Sequence, residues 1–131
     1  IKDARKVKLT IEMVSEISDM YITGFNKMVA DPNFTVDELA AISEGYARLM
    51  EEGGALVTEL KDIVTSSNGL SMSDKDRMDV IDRIYNRMLD YRNLTRYFTQ
   101  KSISVSFIRA KAKADTDRVL ALYGSPSERY W

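Results

Sequence analysis

The apolar positions of this chain recur by threes and fours over three long stretches, separated by short runs of turn-forming residues. Leu39, Ile42, Tyr46, Leu49, Gly53, Leu56, Leu60 and Ile63 fall on one side of a helix, because 3.6 residues per turn bring every third or fourth side chain back to the same face. Ala4, Val7, Ile11, Val14, Tyr21, Phe25 and Met28 make a similar seam in the first stretch. Met78, Ile81, Ile84, Tyr85, Met88, Tyr91, Leu94 and Phe98 make one in the third. The pattern predicts an all-α protein, an elongated antiparallel three-helix bundle forming a single domain over 1–131. Its helices are expected at about 2–30, 35–67 and 73–122, followed by an irregular C-terminal tail at 123–131.

The breaks have chemical causes. Pro32 donates no backbone hydrogen bond and pushes Asp31 out of the helical region, so the first helix stops there and Asp31-Pro32-Asn33 turns the chain back. Thr35 followed by Glu38 is a capping box that opens the second helix. Asn68-Gly69 is a stop signal, and Ser66–Ser73 reads as a loop. Gly24 marks a close crossing on the first helix, and Gly53-Gly54 in the second calls for a close neighbouring backbone or a kink, since each glycine costs about 1 kcal/mol in a helix interior. In the third stretch, Ser102-Ile103-Ser104-Val105-Ser106 alternates like a strand. A lone strand has nothing to pair with, so helix should continue, with a kink as the natural irregularity. The pattern resumes with Val105, Ile108, Ala112, Val119 and Leu122, and stops at Gly124-Ser125-Pro126. Such a helix of ~50 residues would be ~75 Å long against ~45 Å for the others. Its part from Ile103 to Leu122 should therefore overhang, bend, or pair with something outside the chain.

Composition narrows the chemistry. With 131 residues, 44% hydrophobic and 30% charged, the chain can bury a core and is too apolar to be disordered. No apolar run approaches the ~20 residues that span a bilayer. Cysteine and histidine are both absent, which removes disulfides, thiolate metal sites and the commonest general base. Ser125 and Ser127 thus have no histidine to activate them. Asp74, Asp76, Asp79 and Asp82 cluster at the start of the third helix, but the glycine and glutamate of a calcium loop are missing at the required offsets. No cofactor, metal or small-molecule substrate is predicted. An enzyme using paired carboxylates would need a cleft that a narrow bundle does not offer.

The net charge is −1 but unevenly spread: residues 1–70 hold 7 Lys or Arg against 12 Asp or Glu, and residues 71–131 hold 12 against 8. Arg83, Arg87, Arg92, Arg96 and Lys101, then Arg109, Lys111, Lys113 and Arg118, could track phosphates. They could equally pair with Glu44, Glu51, Glu52, Glu59 and Asp62 of the second helix, and Asp90, Asp115 and Asp117 interrupt the basic set. The seven methionines read as core fillers or as an adaptable groove. The tail ends in Arg129-Tyr130-Trp131, residue types that dominate interface hot spots. The partner-binding candidates are Ile103, Ile108, Arg109, Lys113, Tyr123, Arg129, Tyr130 and Trp131.

Asp31-Pro32-Asn33-Phe34-Thr35, the run Leu70–Asp79, Tyr91-Arg92-Asn93-Leu94 and, most specifically, the run Asp115–Trp131 resemble the TrbJ-like TraI transfer proteins of Bacteroides-type conjugative transposons. The resemblance covers essentially the whole chain. It implies a structural or assembly component of a conjugative DNA-transfer (type IV secretion) apparatus, located in the periplasm or cell envelope and acting by helix packing. Its partners would be other transfer-apparatus proteins or further copies of itself. The family carries no established catalytic motif, so no catalytic residues carry over. A secretion signal in the family and the start at Ile1 suggest a trimmed secreted precursor. The alternative reading is an accessory nucleic-acid binder using the basic face of the third helix.

Overall fold

Four helices follow in order: α1 (Lys2–Val29), α2 (Val36–Thr65), α3 (Asp74–Ala112) and α4 (Thr116–Tyr123). The computed structural model describes residues 2–65 and 72–125. The expected stop signal at Asn68-Gly69 and the aromatic end of the tail lie outside the described residues.

The three long helices pack against one another as the seams require. Lys6 meets Asp82, Glu16 meets Arg92 and Asn33 meets Arg109, each pair 76 residues apart. The constant offset means that α1 and α3 run parallel and in step, and α2 runs antiparallel to both. The start signals act as read. The Thr35 N–H donates to Glu38 Oε1 at 2.9 Å and the Glu38 N–H to Thr35 Oγ1 at 3.1 Å, a complete capping box. Ser73 caps α3 by accepting from the Asp76 N–H at 3.1 Å.

The core divides into two clusters. Met13, Ile17, Met20, Leu56, Leu60, Ile81, Ile84 and Met88 fill the end where α1 begins. Met28, Phe34, Tyr46, Ile103, Ala110, Val119 and Tyr123 fill the end where α1 turns into α2, called the elbow below. Tyr46 is wholly buried, and its ring packs on Tyr21, Phe25 and Phe98 at centroid distances of 5.0, 6.2 and 4.9 Å.

Some seam positions move. Ile11 and Leu94 are exposed, whereas Thr10, Thr95 and Thr99 are fully buried. Their hydroxyls donate to the carbonyls of Lys6, Tyr91 and Thr95 one turn back, at 2.7, 2.7 and 2.8 Å. A helical threonine satisfied this way presents its methyl to the core, and a hydrophobicity pattern does not register it. The glycines are also reassigned. Gly54 is exposed, and a Cβ there would meet nothing within 4 Å; one at Gly53 would meet only the Met88 sulfur at 3.9 Å. The close approach is instead at Gly45, where a Cβ would lie 2.5 Å from Phe98 Cζ.

The third helix is the main correction. Ser102–Ser106 lies within continuous α3, but the helix ends at Ala112 rather than running to Leu122. The Asp115 N–H donates to the Ala110 carbonyl at 2.8 Å and the Ala114 N–H to the Lys111 carbonyl at 3.3 Å, with Ala114 left-handed at φ 55°. This is a Schellman ending with alanine where glycine is usual. Without a glycine the sequence carries no stop signal. The break folds α4 back so that Val119 and Tyr123 complete the elbow core. The expected overhang is therefore covered by the chain's own last helix.

Candidate interaction surface

The elbow is held by a buried polar cluster. The Asp31 carboxyl, with no exposed side-chain surface, accepts from the Asn33 N–H at 2.9 Å, from the Tyr123 hydroxyl at 2.7 Å and from the Ser106 hydroxyl. Arg118 of α4 lies 3.9 Å away. Asn33 donates from Nδ2 to Ser106 Oγ and to the Ser106 carbonyl at 3.0 and 3.2 Å. One acidic side chain thus ties the α1–α2 turn to α3 and α4. Buried polar groups persist only when partnered this fully.

The elbow takes up four of the eight partner-binding candidates. Ile103 is buried in the core, and Tyr123 is buried with its hydroxyl on Asp31. Neither is exposed to a partner, because α4 folds back onto this core and carries Tyr123 into it. Arg109 grips Glu38 through two nitrogens at 2.8 and 2.6 Å and donates to the Asn33 carbonyl at 2.6 Å. Lys113 donates to Asn33 Oδ1 at 3.0 Å. Both help to build the elbow. Ile108 is 69% exposed on the outer side of α3, and among the described candidates Lys113 is exposed as well despite its bond to Asn33. Arg129, Tyr130 and Trp131 lie outside the described residues.

Charge at the elbow is set by these contacts. The Arg109 guanidinium first, and the Thr35 N–H second, hold the Glu38 carboxyl well below the usual carboxylate range, at about 2. Arg109 is raised in turn, chiefly by its hydrogen bonds to Glu38. Burial pushes the Tyr46 hydroxyl up to about 12, and its oxygen lies 2.6 Å from Thr99 Oγ1. Because Thr99 donates to Thr95, the Tyr46 hydroxyl is the donor in that pair.

The basic residues of α3 are largely engaged across its two seams. Arg83 pairs with Glu59, and Arg92 reaches Glu16 at 3.5 Å. Arg87 bonds the Tyr91 hydroxyl at 3.3 Å, which donates to Glu52 at 3.1 Å. Beyond α3, Arg118 of α4 pairs with Asp115 at 2.7 Å. Of the acids expected as partners, Glu44 faces Arg48 on its own helix at 3.7 Å, and Glu16 and Glu38 serve in its place. The acidic start of α3 is similarly paired: Asp74 with Arg77 at 3.0 Å, Asp79 with Lys75 at 3.1 Å and Asp82 with Lys6 at 2.6 Å. Among the described residues no group of three or more acidic side chains is placed to hold a metal.

The remaining side of the bundle differs. The ion pairs just named that join long helices all end on α3. Where α1 and α2 face outward together, α1 presents Ile11, Ser15, Ser18, Ile22, Asn26 and Val29, and α2 presents Val36, Ser43, Ala47, Met50 and Gly54. From Ile11 to Val29 and from Val36 to Val57 these two helix faces carry no charged residue. Ile11, Ile22 and Val29 are each more than half exposed, Val36 is 81% exposed, and Met50 is exposed as well. Midway along, Val14, Ile17, Ser18, Met50, Gly53, Gly54 and Met88 line a cleft of about 70 Å³. The face mixes five exposed apolar side chains, Ile11, Ile22, Val29, Val36 and Met50, with serines and an asparagine and carries no charge, and charge-depleted surface with exposed apolar side chains is a candidate for association. The hydrophobic seams did not single it out, because Ile22 and Val29 lie off the α1 seam and Ser15, Ser18, Ala47 and Gly54 read as inert. The available signal was an absence, the missing charge on two adjacent faces.

Compared with protein-family models, with curated proteins and with solved structures, the chain matches none.

Proposed function

We propose that this chain is a structural or assembly component of a conjugative DNA-transfer apparatus in the cell envelope, working through helix packing against other proteins. The apparatus is suggested by the resemblance of Asp115–Trp131 and the other quoted runs to TrbJ-like TraI proteins. The docking mode rests on one observation, the exposed and uncharged face shared by α1 and α2. Interface centres are depleted of charge and carry exposed apolar side chains. The docking surface is thereby moved from the third helix to the first two. Among the described residues no helix is long and apolar enough to cross a membrane.

The test is genetic. In donor cells whose own copy carries Ile22→Glu, DNA transfer should fall by about tenfold or more, the effect of losing one buried interface anchor, while the protein accumulates to its normal level. Undiminished transfer at normal protein level would overturn the reading. Salt dependence addresses the nucleic-acid alternative: a contact made through phosphates must weaken steeply as salt rises.

A further inference from the structure

Resting on that docking reading, we infer that the α1–α2 face is covered by a second copy of this chain, the two hairpins forming a four-helix layer about a two-fold axis. Three observations specify this occupant. The first is Gly54. A glycine inside a helix costs about 1 kcal/mol relative to alanine, and nothing in the chain lies within 4 Å of where its side chain would be. The fold has no use for it. A helix packed from outside has, because small residues let backbones approach closely.

The second is charge. The shared face has none, so two copies meet without burying like charges. Over their whole lengths α1 carries five basic and four acidic residues and α2 two basic and seven acidic, with Lys6, Glu16, Glu38 and Glu59 among them paired to α3. A two-fold axis parallel to the helices lays α1 of each copy against α2 of the other, setting the nearly balanced helix against the acidic one. α1 and α2 already run in opposite directions, so every neighbour in the resulting layer is antiparallel, the packing of an up-and-down four-helix bundle.

The third is area. The uncharged stretch of α1 is about 27 Å long at 1.5 Å per residue, and two helices spaced ~9 Å apart are roughly 19 Å wide. The footprint is about 500 Å² per copy and about 1,000 Å² in all, the lower bound for a specific interface. A reversible dimer of micromolar affinity is the expected result.

Sedimentation of the full chain from about 1 to 200 μM, a range bracketing micromolar affinity, tests this. The wild type should pass from monomer to dimer. Gly54→Leu adds a side chain where the fold has room, so it should fold normally yet weaken the dimer at least about tenfold. Ile22→Glu should do the same, and Ile108→Glu, on the far side of α3, should not. A wild type that stays monomeric at 200 μM, or a dimer indifferent to Gly54→Leu, would overturn the proposal. A dimer lost in Gly54→Leu with undiminished transfer in cells supports the second copy and removes the conjugation role. A monomeric wild type whose Gly54→Leu form loses transfer removes the second copy and leaves docking on this face to a different protein.

Discussion

The seams of α3 and the outward face of α1 and α2 are built from the same helices and finished differently. Along α3, charged side chains meet opposite charges from both neighbours: Asp82 with Lys6, Arg92 with Glu16, Arg83 with Glu59, Arg109 with Glu38. Gly45 lets Phe98 press against α2. On the other face α1 and α2 offer Ile22, Val29, Val36 and Met50 to solvent with no charge among them. Surface ion pairs add little stability, typically below about 1 kcal/mol each. Their effect along α3 is to fix register and keep those sides wet and selective. A face without them is left open to association.

The largest test of this contrast is at the elbow. Asp31→Ala leaves the Ser106 and Tyr123 hydroxyls and the Asn33 N–H without their acceptor. It should cost about 3–4 kcal/mol, the range for breaking a buried charged network, read by chemical denaturation. A loss under 1 kcal/mol would mean that α4 is not pinned as described. Next come the two glycines of α2. Gly45→Ala pushes a methyl into Phe98, which is held by Tyr46, and should destabilise by about 1–3 kcal/mol. Gly54→Ala should instead stabilise the monomer by up to about 1 kcal/mol. Equal effects at both positions would erase the distinction between the closed seam and the open face.

Ala114→Gly sharpens the picture of the α3 ending. The left-handed residue closing the Schellman turn should be relieved by about 1 kcal/mol, seen as a raised melting temperature. The smallest effect belongs to pH. Glu38 is held at about 2 in the fold against an ordinary 4.5, so its contribution is present above 4.5 and is lost as pH falls toward 2. Glu38→Gln should flatten the loss of stability between those values while leaving neutral-pH folding in place. An unchanged acid profile would remove Glu38–Arg109 from the account.

The long helices and their caps were legible because Thr35, Ser73 and Pro32 leave local chemical marks and the apolar spacing is regular. The turn at 113–115 was not, because Ala114 occupies a glycine conformation without being glycine. The core threonines were hidden because their polarity is cancelled by a bond to the preceding turn. The Asp31 cluster was invisible for a different reason: its members are 75 and 92 residues apart, and only the return of α4 brings them together. The candidate surface was half legible. The sequence holds the two charge-free stretches, but which helices stand side by side, and which flank is left uncovered, follows only from the packing.

A chain without cysteine permits a direct measurement. Thr58→Cys, on the exposed edge of α2, carries a single spin label, so any electron–electron distance must come from a second molecule. A dimer through the α1–α2 face gives one narrow distance of about 20–30 Å, two to three helix diameters, which disappears when Gly54→Leu is added. No dipolar coupling at concentrations near 200 μM, or coupling that survives Gly54→Leu, would contradict it.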